Sequence, residues 1–503
     1  MQIIYFADFC TTNKSSHSIS AHAMAKPTKD ALLALIRNGK AMTLQQQLRL
    51  TALLSLPAIL AQLSSILMQY IDASMVGRLG ADESASIGLI ATTTWLFGGI
   101  CSAVATGFSV QVAHLIGASK PEAARSVLRQ SIFTVFLIGV AIGLAGCLIS
   151  PHLPIWLGGN ERIVKDASAY FFIFSCCMPI FILDCLASGM LRCSGNIKVP
   201  SAMNIMMGVL DVIFNFLLIF PSHQVTLLGV EITIPGAGMR VEGAAIGTFL
   251  AELVTCVALM GYMCFKSKEL RLNQEKGNFY PTRSCVGKAV KIAAPMGIQH
   301  FVMCMAQITI TAIVAPLGSI ALAANTFAIT AESLCYMPGY GIADAATTLV
   351  GQSIGAGRYD LTRQFAKINV IMGMVIMGLM GVLMWIGAPL MMRMMSPVPD
   401  IVELGTEVLR IEAWAEPMFA AAIVSYGIFV GAGDTAIPCG MNIATMWGVR
   451  LTLAALLVVY FGMGLTGVWT AMCIELCVRG IVFLARLKSE RWVKIRPSGE
   501  RGE

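Results

Sequence analysis

Charge is scarce in this sequence. Only 13% of its 503 residues are Asp, Glu, Lys or Arg, against about 25% in soluble domains. With 56% hydrophobic residues and a mean hydropathy of +0.75, the chain lacks the polar surface to cover a water-soluble body of this size. Enzyme signatures are missing too. No Walker-type GxxxxGK[ST], HExxH or paired DxxxD cluster occurs, so nothing points to phosphate, zinc or Mg2+-pyrophosphate catalysis. Nothing looks like a channel filter either. The fifteen cysteines are odd in number, lie mostly in apolar runs and form no pair of CxxC motifs. They read as small buried apolar residues rather than as disulfides or a metal site. Residues 1–10 are apolar but short, include Asp8, and lack the basic start and cleavage site of a signal peptide; Met24 is an alternative start.

What the chain has is long apolar runs. A spanning helix takes roughly 20 apolar residues. Spans are expected near 50–76, 86–112, 131–150, 167–188, 200–220 and 241–265, then near 289–316, 318–347, 368–390, 403–431, 440–460 and 464–487. The eighth is the least regular, because it carries Glu332, Pro338 and Asp344. This is an all-α integral membrane protein of about twelve helices. The net charge of +7 does not signal nucleic acid. Counted by side, 28 of the 35 Lys and Arg fall on the side of the N-terminus and 5 on the other, with Arg410 and Arg450 inside spans. That asymmetry is the positive-inside pattern and puts both termini in the cytoplasm. The expected organisation is a partly disordered cytoplasmic extension over 1–48, whose mildly amphipathic 31–48 stretch is a candidate interfacial helix. A first lobe (49–265), a cytoplasmic linker (266–286), a second lobe (287–487) and a basic tail (488–503) follow.

The two halves superpose in sequence at one offset of 238 residues. Pro57 falls on Pro295, Leu79–Gly80 on Leu317–Gly318, Gly117 on Gly355 and Pro179 on Pro417. "CSGNIKVPSAMNI" (193–205) falls on "GAGDTAIPCGMNI" (431–443), and beyond the 221–240 loop the offset drops to 224. Six spans per repeat make the repeats parallel, the arrangement of many secondary transporters with a substrate site between the halves. Gly139/Gly143 and Gly243/Gly247 are GxxxG pairs for close helix packing. Pro57, Pro179, Pro295, Pro338 and Pro417 lie inside spans, where each removes a backbone donor and bends its helix. Four of the five are repeat-matched, which suggests that bending belongs to the motion of the halves.

These features resemble the multidrug and toxic compound extrusion (MATE) family of drug/cation antiporters, within the wider multidrug/oligosaccharidyl-lipid/polysaccharide flippase superfamily. The resembling stretches are "MQYIDASMVGRLG" (68–80), "GMLRCSGNIKVP" (189–200), "LVGQSIGAGR" (349–358) and "GIFVGAGDTAIP" (427–438). The resemblance covers residues 50–487. It implies a two-lobed, V-shaped transporter that exports organic cations and hydrophobic drugs against inward Na+ or H+, in the plasma membrane of a prokaryote. A monomer is expected, with no cofactor beyond the coupling ion and no enzymatic activity. The alternative cargo is lipid-linked oligosaccharide, carried by flippases of the same superfamily.

A charge at mid-bilayer is expensive and persists when paired, wetted or functional. Nine acids qualify: Asp72, Asp184, Asp211, Glu252, Glu332, Asp344, Glu412, Glu416 and Glu475. Asp72 resembles the first-span acid of one prokaryotic branch and is either a coupling residue or a partner of Arg78. Asp211 and Asn215, four apart, share a helix face. Together they offer oxygens for Na+ or a hydrogen bond to a proton-switching Asp, with an interhelical hydrogen bond alone as the alternative. The family order is often Asn before Asp; here it is reversed. The acid that another branch carries on the seventh span is absent, its place being Met303 between His300 and Gln307, which favours an ion site at Asp72, Asp211 and Asn215. Glu332, Tyr340, Asp344, Glu412 and Glu416 are substrate or proton candidates; Glu412 and Glu416 repel at i,i+4, and Arg410 is expected to relieve them. Arg450 needs a partner, with Glu475 first and a Glu475–Arg479 pair as the alternative. Nine acids against two arginines favour a cationic cargo over the anionic pyrophosphate of a flippase substrate.

Overall fold

The computed structural model describes residues 28–227, 230–274 and 277–493; the expected disordered start (1–27) and most of the basic tail (494–503) lie outside the described residues. A nine-residue helix, α1 (Lys29–Arg37), precedes the first long helix, α2 (Leu44–Gly77). Thr43 starts α2 with a capping box: its hydroxyl accepts from Gln46 N, and Gln46 Oε1 accepts from Thr43 N at 3.0 Å. Then follow α3 (Ala81–Gly117), α4 (Pro121–Ile149), the single turn α5 (Leu153–Trp156), α6 (Glu161–Cys176), α7 (Met178–Cys193), α8 (Lys198–Ile219) and α9 (Arg240–Gly261). The second half comprises α10 (Arg283–Val314), α11 (Ser319–Gly355), α12 (Tyr359–Met395), α13 (Pro399–Glu412), α14 (Glu416–Gly431), α15 (Ala436–Thr445), α16 (Thr452–Val459) and α17 (Gly464–Ser489).

Ten of these segments are long and apolar enough to cross a membrane, and twelve when two bent pairs are counted as one span each. The pairs are α6–α7, bent by 50°, and α13–α14, bent by 59°. Pro179 and Pro417 stand in the first turn after each break, where the missing N–H is tolerated. These are the repeat-matched prolines of the fourth and tenth spans. Pro57, Pro295 and Pro338, by contrast, sit inside helices that run unbroken, as does Pro389 in α12.

Each half packs its own apolar core. Phe108 of α3, Leu128 of α4, Met178 and Leu186 of α7 and Leu259 of α9 form one; Ala324 of α11, Met384 of α12, Val408 of α13 and Trp469 of α17 form the other. The halves meet through α2, α3, α10 and α11. The contact obeys the repeat. A Cβ on Gly117 would run into the backbone carbonyl of Gln352, and one on Gly355 into that of His114. Gln352 is itself the counterpart of His114, so the two contacts exchange under the 238-residue offset. Gly351 packs on its own counterpart, Ala113, so α3 and α11 cross on a pseudo-two-fold axis.

Two expectations change. The 31–48 stretch is not one helix but is divided between α1 and the start of α2. The apolar face of α1 (Leu32, Leu33 and Ile36, at most 3% exposed) is buried in the protein, among Leu50, Leu54 and Ile197 of the first half and Ala345, Leu349 and Phe365 of the second. Arg37 ties α1 to Glu269 at 2.6 Å and to the Ser194 carbonyl. The 221–240 segment is no simple loop; Pro221–Leu227 (β1) pairs antiparallel with Val230–Ala237 (β2). Among the described residues all fourteen cysteines are free.

Gly355→Val forces a branched side chain against the His114 carbonyl. Overpacking of this kind costs about 1–3 kcal/mol, so the apparent thermal midpoint of the purified protein falls by several degrees. Gly440→Ala, whose new methyl meets nothing, leaves it unchanged. Leu33→Asp releases α1, and limited trypsin digestion then cleaves after Arg37 faster than in the parent protein.

Candidate functional site

The first site lies in the first half. Asn215 of α8 donates from Nδ2 to Asp72 Oδ1 of α2 and to Asp211 Oδ2, both at 3.1 Å. One carboxamide thus bridges two carboxylates. Asp211 and Asn215 are fully buried (0% and 1% exposed), and Asp211 Oδ1 and Asn215 Oδ1 have no hydrogen-bond partner. Among the described residues no basic side chain pairs with Asp72 or Asp211; Arg78 does not reach Asp72. Tyr170 of α6 and Thr248 of α9 lie beside the carboxylates. A cleft of about 360 Å³ lined by Tyr70, Ile71, Ser74, Arg78 and Phe216 opens next to them.

Close packing of α8 on α9 holds this arrangement. Gly243 lies against the Leu218 carbonyl, and any side chain at Gly247 would overlap Asn215 Oδ1. The GxxxG pair is therefore structural, as the spacing suggests, and also fixes the rotamer of the bridging amide. Chemically, a fully buried carboxylate and a half-buried one joined by a neutral bridge favour a positive charge from outside the side-chain set. The residues offer it oxygens, and a proton or a small cation supplies it.

The second cluster lies in the other half. Glu412 ends α13 and Glu416 begins α14, so both stand at the 59° break. Both are 0% exposed, and none of their four carboxylate oxygens has a hydrogen-bond partner. Glu332 of α11 is 6% exposed and faces them. Tyr336 stacks edge-on against Phe419 and Tyr340 at 5.6 and 6.0 Å. Arg450 sits on a π-helical turn, Met446–Leu451, between α15 and α16. Its first expected partner, Glu475, is taken: Arg479 holds Glu475 Oε1 from Nε at 2.7 Å and from Nη2 at 2.6 Å. The i,i+4 alternative is the one that forms, because both groups project from one face of α17. Arg450 instead rests its Nη2 on the Met472 sulfur at 2.6 Å. Arg410 does not relieve Glu412 and Glu416; it lies over the Trp385 ring at 5.1 Å.

Asp344 leaves the substrate candidates' neighbourhood. It pairs with Arg192 of the other half at 2.9 Å, near Gln352 Nε2, which donates to the Cys193 carbonyl at 2.8 Å. Tyr340, 43% exposed, stays with Tyr336. Between the two clusters Tyr70 of α2 donates to the Thr330 carbonyl of α11 at 2.7 Å, two residues from Asp72 on one side and from Glu332 on the other.

A MatE family model matches residues 57–217 and 295–456. The two matches begin at Pro57 and Pro295, the same 238 residues apart as the internal repeat. The chain belongs to the MatE family. It is accordingly a multi-pass membrane transporter and not an enzyme. The chain is 25% identical over 441 residues to a probable multidrug resistance protein, NorM, of Thermotoga maritima, covering 88% of this chain and 92% of that protein. It is 23% identical over 423 residues to an uncharacterized transporter, YisQ, of Bacillus subtilis, with 84% and 90% covered. Its fold matches a MATE crystallised in complex with MaL6 (TM-score 0.80, 18% identity, 91% of this chain and 98% of that one). It also matches a MOP superfamily transporter from Pyrococcus furiosus whose binding pocket has reversed polarity (TM-score 0.82, 19% identity, 94% and 100%).

In this MatE protein the scaffold is duplicated and the buried charge is not. At the 238-residue offset Asp72 and Asp211 correspond to Ile310 and Val449, and Glu332, Glu412 and Glu416 to Thr94, Phe174 and Met178. Sequence reasoning offered Arg479 as the alternative partner of Glu475, on their i,i+4 spacing, and that pair forms. It missed Gly247 as the residue that seats Asn215.

Arg479→Met leaves the Glu475 carboxylate buried without its partner. Breaking a buried pair from one side costs about 3–5 kcal/mol, so thermal unfolding in detergent shifts sharply down. Adding Glu475→Gln removes the orphaned charge and restores most of the loss.

Proposed function

We propose that this MatE transporter is a secondary active multidrug efflux pump. It exchanges cationic or hydrophobic organic compounds for inward Na+ or H+ by alternating access. The reading includes a monomer in the prokaryotic inner (plasma) membrane, both termini cytoplasmic. The observation that carries it is the Asp72–Asn215–Asp211 bridge, which has two carboxylates and, among the described residues, no base paired with them. Loaded with H+ or Na+, the two acids no longer repel; unloaded, they drive α2 and α8 apart. Because α2 also hydrogen-bonds α11 through Tyr70, the loading of this site bears on the contact between the halves. Such coupling requires that ion and drug favour different states.

As it stands, the Asn215 amide presents its NH2 group to both carboxylates, which suits a pair sharing one proton. Sodium requires the amide turned to offer its oxygen, and then finds carboxylate and carbonyl oxygens of the hard type it prefers. Glu332, Glu412 and Glu416, with Tyr336 and Phe419 beside them, form the acidic and aromatic surroundings suited to an organic cation. The names of the bacterial relatives support drug efflux. Flippase cargo carries pyrophosphate and calls for an excess of buried bases, whereas here the single Arg450 stands near the three acids Glu332, Glu412 and Glu416.

Proteoliposomes loaded with ethidium and given an inward Na+ or an inward H+ gradient test the reading. Dye leaves against one or both gradients, and the effective ion is the coupling ion. Asp72→Asn and Asp211→Asn each lower ion-driven export by about tenfold or more, the scale of an ordinary coupling free energy. Undiminished export in the double variant overturns the site assignment. No dye movement under either gradient, from folded protein, overturns drug efflux in favour of lipid-linked cargo.

A further inference from the structure

One large cleft of the protein belongs to neither cluster. A cleft of about 1310 Å³ lies where α12 ends, between its last turns, α13 and α17. It stands at the end of the bundle opposite the basic side, at the depth where the apolar run of α12 gives out. Its floor is apolar, with Pro389, Val402 and Ile411 among the lining residues, and its rim carries two bases, two acids and two indoles: Arg393, Arg410, Glu403, Glu407, Trp385 and Trp414. All six are exposed, Trp414 to 76%. Among the described residues neither arginine has an ion-pair partner, and neither acid does. Arg410 is held in place nonetheless. Its guanidinium lies 5.1 Å above the Trp385 ring and Nε donates to the Trp385 carbonyl at 3.3 Å.

Each feature specifies part of one ligand. An apolar floor under a charged rim fits an amphiphile. Exposed tryptophans at the end of a membrane span sit at headgroup level. Two guanidiniums without carboxylate partners match a phosphate, which they bind through paired N–H donors. A wholly anionic headgroup would meet Glu403 and Glu407 on the same rim. A headgroup that also carries a primary ammonium gives those carboxylates three N–H donors, whereas a trimethylated ammonium gives none. We propose that this cleft binds a zwitterionic phospholipid of the phosphatidylethanolamine class, phosphate on Arg393 and Arg410, ammonium on Glu403 and Glu407, acyl chains along the floor. The proposal is independent of the transported cargo and of the coupling ion.

Native mass spectrometry of the delipidated full chain tests it, by titration with phosphatidylethanolamine, phosphatidylcholine and phosphatidylglycerol of matched acyl chains. The parent protein retains phosphatidylethanolamine severalfold more than either competitor. Arg393→Ala/Arg410→Ala lowers retention of that lipid severalfold. Glu403→Gln/Glu407→Gln keeps phosphate binding but abolishes the preference, and phosphatidylglycerol rises to match or exceed it. Thermal unfolding near that of the parent shows that both variants are folded; if the double alanine variant is not, the glutamine pair carries the decision. Equal retention of all three lipids by the parent, a preference for phosphatidylglycerol, or a preference unmoved by the glutamine pair overturns the proposal.

Discussion

The rest of the structure depends on one close contact, the crossing of α3 and α11. Two glycines let two backbones touch: Gly117 rests on the Gln352 carbonyl, Gly355 on that of His114. Each contact is the repeat image of the other, and Gly351 meets Ala113 between them. A side chain at either glycine would hold the halves apart, and the remaining contacts between them, α2 with α11 and α3 with α10, would lose their register. Small residues permit this close approach of the two backbones, and the side chains beside them, Gln352 and His114, reach across to the Cys193 and Gly431 carbonyls.

On this symmetric frame the charges are placed asymmetrically. The first half keeps an amide-bridged carboxylate pair that, among the described residues, has no base paired with it. The second half keeps three acids at and beside a broken helix, one arginine resting on a sulfur, and one closed ion pair. A duplicated scaffold gives both halves the same bend, after Pro179 and after Pro417, but only the second puts carboxylates there. The two halves are thus built alike mechanically and differ in where they bury charge. The proposed exchange of ion for drug needs that difference, because two identical sites would bind ion and drug with the same preference for each conformation and couple nothing.

Much of this was legible in the residues. Span count, repeat offset and the nearness of Asp72 to Asp211 and Asn215 follow from apolar run length, matched prolines and i,i+4 spacing. Each is a short-range or periodic property that one-dimensional order records. What was not legible needs three dimensions. The amphipathic stretch of α1 reads the same whether its apolar face meets lipid or protein; only the docking site made by Leu50, Ile197 and Leu349 decides between them. Asp344 looked available because its partner, Arg192, is 152 residues away. Arg410 looked like a neighbour of Glu412 because sequence distance ignores helical phase, which turns it toward Trp385 instead. The β-branched alternation over 230–234 was the signal for the hairpin, overlooked beside the stronger helical pattern.

The ends of the bundle are held unequally, and this bears on how the site at Asp72 acts. At the basic end the halves are tied by Arg192–Asp344, by Gln352 to the Cys193 carbonyl, by His114 to the Gly431 carbonyl at 2.8 Å and by the apolar face of α1. Toward the other end, among the described residues, the side-chain hydrogen bonds between halves thin out to Tyr70 with Thr330 and the long Cys304 contact with the Thr92 carbonyl. A change at Asp72 therefore reaches the weaker end first, through a helix it shares with Tyr70. Opening the basic end requires several polar contacts and a buried apolar helix face to part together, which makes that step cooperative. The carboxylate pair, the proposed coupling site, sits beside the contacts that are few, and away from those that are many.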